Sequence, residues 1–243
     1  MLELRKTKEA GMENPLFGKK ISCNGDSICE GVGYAGGYAK IIAERNGMKY
    51  QNLGVGGGGV SPNVFDTKGK PRYCISEGVK NMDADADYAI VEGGVNDATH
   101  FELNGFPKLG ELSAGYSGPF DKSTFIGAFE FMLRELTVRF AGKKIGYIAV
   151  HQCSGYFRPS VISGEENNFY LAALRCCQKW GVPYLDLTTA VPPVSYERAK
   201  LGADPALDFV SAESTHNNDG CHPNKFGYEK YYCDKIEAWL KTL

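Results

Sequence analysis

Read along the chain, the spacing of apolar and polar positions changes several times, and each change marks an element. Residues 21–24 form a short apolar run after Lys19-Lys20 that Gly25 stops, as expected of a short buried strand. Within 37–47, Tyr38, Ile41 and Ile42 recur at helical spacing. A second strand follows at 50–53, a helix at 71–82 and a third strand at 88–91. Helical spacing returns over 123–141 (Phe125, Phe129, Met132, Leu136, Phe140), then a fourth strand at 145–150, a helix at 165–180 and a fifth strand at 184–187. Pro223 opens a last helix, as proline does at a first helical position. Its apolar face is Tyr228, Tyr232, Ile236, Trp239 and Leu240. The irregular stretch 99–122 is rich in glycine and aromatics (Phe101, Phe106, Tyr116, Phe120), and a loop of that length is usually functional, as a lid or pocket wall.

Five strands alternating with helices predict an α/β fold with a parallel sheet covered on both faces. Residues 1–18 read as a polar N-terminal arm with little core of its own. With no internal repeat and no linker-like stretch, residues 19–243 read as one domain.

Composition narrows the field mostly by exclusion. Of 243 residues, 43% are hydrophobic and 23% charged, ordinary for a globular protein. A formal net charge of -2 gives no electrostatic reason to expect nucleic acid or an anionic membrane. No apolar run approaches the roughly 18 residues of a membrane span, and residues 1–20 lack the apolar centre of a secretory signal. The eight cysteines contain no Cys-x-x-Cys pair and several sit in apolar stretches. Reduced thiols and a cytoplasmic location are therefore expected.

Candidate chemistry clusters after strand ends, where ligands sit in an open parallel sheet. Ser27 lies on a turn just past the first strand; glycines 54–59 follow the second, Asn96 the third, and Asp219 and His222 precede the last helix. A serine hydroxyl becomes a useful nucleophile only when an imidazole takes its proton and a carboxylate holds that imidazole in one tautomer. Asp219 and His222, three residues apart, are close enough to meet across one turn. The Ser27 N–H, a glycine N–H and the Asn96 amide are candidate donors to a developing oxyanion. Asp26, beside Ser27, and His151 and Gln152, at the end of the fourth strand, are candidate substrate contacts.

At these residues the chain resembles the SGNH (GDSL-type) hydrolases. Gly25-Asp26-Ser27 is similar to their first block, with Ile28 where leucine is usual. The stretch from Asn52 to Gly57 resembles the second block, Gly94-Val-Asn96-Asp97 the third, and Asp219-x-x-His222 the fifth. Each motif is short, but four in order across most of the chain are specific. The resemblance implies a flavodoxin-like three-layer α/β/α sandwich around a five-stranded parallel sheet. It also implies a Ser27 nucleophile, a His222 base, an Asp219 orienting acid, and an oxyanion hole of Ser27, Gly57 and Asn96. The expected activity is hydrolysis of small acyl esters, acetyl above all, on a small-molecule or glycan substrate, with no cofactor and no metal. Lysolipid or longer-chain hydrolysis and acyl transfer to an alcohol are the alternatives, and a binding module that keeps the fold without turnover is the non-enzymatic one.

Two other sites can be drawn from the same residues. Gly31-x-Gly33-x-x-Gly36 and Gly54-x-Gly56-x-x-Gly59 both fit a dinucleotide fingerprint. The first lies well past the first strand, however, and the second strand ends in Gln51-Asn52 without the acid such a site wants. A metal set of His216, Asp219, Cys221 and His222 would leave Ser27 and Asn96 unexplained. Asp97 reads as a turn or capping residue.

Overall fold

The computed structural model describes residues 14–32, 34–151, 168–190 and 221–243. Five strands, β1 (Lys20–Asn24), β2 (Lys49–Asn52), β3 (Tyr88–Glu92), β4 (Lys144–Ala149) and β5 (Tyr184–Asp186), form one parallel sheet in the order β2-β1-β3-β4-β5. This is a doubly wound order, in which the chain reverses direction across the sheet between β1 and β3. Ser27 lies just beyond the carboxyl end of β1, at that switch point.

Helices α1 (Ser27–Glu30), α2 (Gly37–Asn46), α3 (Ile75–Gly78), α4 (Val95–Asn104), α5 (Phe125–Arg139), α6 (Phe169–Trp180) and α7 (Leu187–Ala190) connect the strands. The C-terminal stretch is α8 (Lys225–Gly227), a π-helical segment Tyr228–Tyr232 and α9 (Cys233–Leu240). Neighbouring side chains of a strand point to opposite faces. At β4, a methyl group added to Gly146 would lie 2.4 Å from the Trp239 ring of α9, whereas Tyr147 stacks on Phe129 of α5 at 5.0 Å. Helices therefore cover both faces, α2 packing with α9 and α5 with α6. Phe125, Phe129, Phe169, Tyr38 and Tyr147 are among the largest fully buried side chains. Each is worth about 1.5–3 kcal/mol of burial as an upper estimate.

Several boundaries differ from the pattern read along the chain, each for a local reason. Residues 71–74 are drawn into backbone pairing (Phe65 with Pro71, Gly59 with Cys74), so the expected helix at 71–82 is reduced to α3 and one 3₁₀ turn. Helix α4 continues to Asn104 through the start of the expected irregular stretch, and Gly105, in the left-handed region at φ 73°, ends it. Asn168 caps α6 by accepting from Leu171 N at 2.9 Å, so that helix begins at Phe169. Asn224 caps α8 through Gly227 N at 2.8 Å, which places Pro223 before the helix rather than at its first position. Within the expected N-terminal arm, Leu16 is fully buried and Gly18 N donates to Gly47 O. The end of that arm thus contributes to the core, because a single leucine in a polar run is enough to seal the space beside α2.

Candidate active site

The turn after β1 is built by Asp26. Its carboxylate accepts from Ile28 N at 2.9 Å and caps α1, so the acid, not the serine, serves as the helix cap. Ser27 is left with its hydroxyl at the mouth of the crevice, and His222 Nε2 lies 2.8 Å from Ser27 Oγ across 195 residues of sequence. That is hydrogen-bond distance for a base poised to take the serine proton.

Three successive glycines of the loop after β2 lie against different side chains. A methyl group on Gly56 would lie 3.0 Å from Glu30 Oε2 and 4.0 Å from Ser27 Cβ. On Gly57 it would lie 2.9 Å from the Arg72 guanidinium, and Gly57 also holds φ 75°, a region L side chains rarely adopt. The carbonyl of Gly58 accepts from Asn96 Nδ2 at 3.0 Å, and the same amide reaches Asp26 Oδ2 at 3.3 Å. The loop is anchored at its start by Asn52, whose amide donates to Cys29 O at 2.7 Å and whose oxygen accepts from Gly54 N at 2.8 Å. At its end Asp97 accepts from Val60 N at 2.8 Å and Ser61 N at 2.9 Å. Asp97 is more than a turn residue: it is fully buried and ties the loop after β2 to the start of α4. Burial pushes its carboxyl up to about 7, outweighing the two N–H donors that favour the charged form.

The structure brings Ser27, His222, Asn96, Asp26 and the glycine loop together. Asp219 and Gln152 lie outside the described residues, as does His216 of the metal set. Among the described residues no group of three or more His, Cys, Asp or Glu side chains is arranged to hold a metal ion, and no helix is long and apolar enough to cross a membrane. Asp26 and His151, the expected substrate contacts, are both enclosed by the protein. Asp26 is 1% exposed with both oxygens engaged inside the protein. His151 is equally buried, its Nδ1 2.6 Å from Tyr232 Oη. Both side chains position their neighbours.

Three features escaped the sequence pattern. The start of the last helix is π-helical, and its inward Tyr228 and Tyr232, already on the expected apolar face, gain polar partners, the first donating to Ile28 O at 2.9 Å, next to the Ser27 turn, and the second meeting His151. Such irregular turns concentrate at functional sites. Arg72 lies over Gly57, and nothing in its local sequence marks it. Glu92 ends β3 fully buried, an acid closing the otherwise apolar run of 88–91 just before Gly93-Gly94, and that contrast is the one signal available.

A parallel sheet carrying a serine–histidine contact at its switch point defines the class: an α/β protein with the SGNH hydrolase fold. The chain belongs to the GDSL-like lipase/acylhydrolase family, whose model matches residues 23–230, and so is a carboxylic ester hydrolase. Among solved structures, a protein from Lactobacillus plantarum is 22% identical with a TM-score of 0.64, covering 93% of this chain and 98% of that one. An aryl esterase from M. smegmatis is 13% identical with a TM-score of 0.57, covering 93% and 99%. An acetyl xylan esterase is 14% identical with a TM-score of 0.55, covering 92% and 100%. At these identities the likeness is one of fold. No curated protein matches the chain.

Proposed function

We propose that the protein, as one catalytic domain over residues 19–243, hydrolyses short acyl esters, acetyl above all, through a Ser27 acyl-enzyme. The observation that carries this reading is the 2.8 Å contact between Ser27 Oγ and His222 Nε2. Ser27 Oγ attacks the ester carbonyl carbon as His222 takes its proton, with Asp219 holding the imidazole in the required tautomer. The carbonyl oxygen gains the negative charge and is received by the N–H groups of Ser27 and Gly57 and by the Asn96 amide. Of the two hydrogen bonds that hold this amide, the 3.3 Å contact to Asp26 is the weaker and leaves its N–H shareable with the oxyanion. Collapse expels the alcohol, which takes the proton from His222. Water then repeats the sequence and releases the carboxylic acid.

The preference for short chains is supported by what the aromatics near the site already touch. Phe101 packs on Phe169 and Phe120 on Trp180, so these two are committed to local packing rather than free to line an acyl tunnel, while Tyr116 meets Trp180 edge-on and stays exposed. The names of two structural neighbours, an aryl esterase and an acetyl xylan esterase, point the same way. Exposed Leu103 and Phe106 near the end of α4, and Val55 in the loop after β2, offer apolar surface to a longer chain. The test is kcat/KM on aryl esters from acetyl to dodecanoyl, with Ser27→Ala as control. Acetyl should be turned over fastest, and folded Ser27→Ala should lose the activity. A steady rise toward long chains overturns the substrate class, and a folded Ser27→Ala at near wild-type rate overturns the mechanism.

A further inference from the structure

Glu92 is fully buried, and neither of its carboxyl oxygens receives a well-aligned hydrogen bond. Its head group fills the space behind Gly25: a methyl group there would lie 2.5 Å from Glu92 Oε2 and 2.7 Å from Cys29 Cβ. The polar groups it faces are the carboxyl of Asp26 and the N–H groups of Asp26 and Cys29. Two carboxyl groups can meet in a water-free space only if they share a proton, since two like charges there would repel strongly. Asp26 is in turn the group that caps α1 beneath Ser27 and holds the Asn96 amide.

We propose that Glu92 is a neutral carboxylic acid that donates its proton to Asp26 and is thereby a positioning residue for Ser27 and Asn96. This deepens, and rests on, the Ser27 esterase reading. The surroundings favour it. The titratable groups around Glu92 are Cys23 on β1, Cys29 on α1, Tyr38 on α2, Tyr147 on β4 and Tyr228 on the π-helical segment. Burial raises each of their pKa values, so all are neutral at neutral pH, and the basic group that bears on the pair, His222, acts on Asp26. Burial, then the Asp26 charge, pushes the Glu92 carboxyl well above the usual range. Asp26 is raised by burial too, but Ile28 N–H, the Glu92 proton and the charge of His222 act to keep it ionised. One proton on Glu92 thus serves two ends. It removes a charge that could not be solvated, and it supplies the donor that fixes the rotamer of Asp26.

The sign of the pH dependence follows. The unfolded chain loses the Glu92 proton in the ordinary carboxyl range while the native chain keeps it, so stability attributable to this group declines as pH rises above that range. Glu92→Gln keeps a donor and needs no proton. Its stability relative to wild type should therefore climb with pH.

Three measurements on the full chain test the proposal. At neutral pH, the infrared difference spectrum of wild type minus Glu92→Gln should show the C=O stretch of a protonated carboxylic acid, any contribution of Asp97 being common to both. On an aryl acetate, Glu92→Gln should keep kcat within about threefold, whereas Glu92→Leu should lower kcat about tenfold or more with KM little changed. The side-chain amide NMR signals of Asn96 should be unmoved in Glu92→Gln and displaced in Glu92→Leu. Absence of that band from the difference spectrum overturns the protonation state. Unchanged kcat and unmoved Asn96 signals in Glu92→Leu overturn the positioning role. Should Glu92→Leu not fold, the infrared and pH–stability comparisons of wild type with Glu92→Gln decide the matter. Neither of those, nor the NMR readout, requires turnover, so a failure of the esterase reading is told apart from a failure of this one.

Discussion

Glu92 and Glu130 are both fully buried glutamates in one chain, and their surroundings drive them to opposite states. Glu130, on α5, is met by Lys179 and Trp180 from α6 and by Ser113 from the loop before α5. Trp180 Nε1 donates to it at 3.0 Å and Ser113 N at 2.7 Å. Burial alone would raise its pKa, but the donors together hold it below the usual glutamate value. Glu92 faces two backbone N–H groups without a well-aligned hydrogen bond and lies against a second acid, so burial prevails and its pKa rises. The pair at Glu130 is a brace: it pins the loop containing Ser113 across α5 and α6. The acids at the switch point instead set the turn that carries Ser27. Both side chains are closed off from solvent, Glu92 deeper in the protein than Glu130, and the partners supplied by distant segments complete the difference.

The comparison can be broken first at its catalytic end. Asn96→Ala removes a partner of Asp26 and, on the proposed mechanism, an oxyanion donor, and kcat should fall roughly 10²–10³-fold, about 2.7–4 kcal/mol, with little change in KM. A raised KM at constant kcat would make Asn96 a binding residue instead. At the brace, Lys179→Met leaves Glu130 charged without its cation. It should cost about 3 kcal/mol in denaturant unfolding, the low end for a broken buried pair, since Ser113 and Trp180 still donate. Catalysis per folded molecule should not change, and an equal loss of kcat would mean that the two regions are coupled. The smallest effect is expected at Asp97, whose carboxyl is raised from its usual 3.8 to about 7. Between those values the native state keeps a proton that the unfolded chain has released, so stability falls as pH rises through this window. Asp97→Asn removes the titration and should flatten the slope of Tm against pH there.

Much of the scaffold is legible along the chain because it follows from local physics. Strands β1, β3 and β4 are short apolar runs stopped by polar or glycine residues, and α5 is a long amphipathic repeat capped by Thr124 at Gly127 N. Those signals need no partner to be read. Boundaries that depend on a partner were not legible. Pairing of Phe65 with Pro71 and of Gly59 with Cys74 shortens a helix that spacing alone would extend.

The site divides along the same line. The order of Gly-Asp-Ser, the glycine loop, Asn96 and the Asp219–His222 pair marks the family, because turn chemistry and nucleophile chemistry demand particular residue types at short spacing. The tertiary structure alone decided which acid does what. It turned Asp26 inward as cap and amide anchor, gave Asp97 two backbone donors, and brought His222 to Ser27. It also set Glu92 against Asp26. The physical reason is that a carboxyl's charge state is fixed by desolvation and by groups within a few ångströms, and in a folded chain those groups come from segments far apart in sequence.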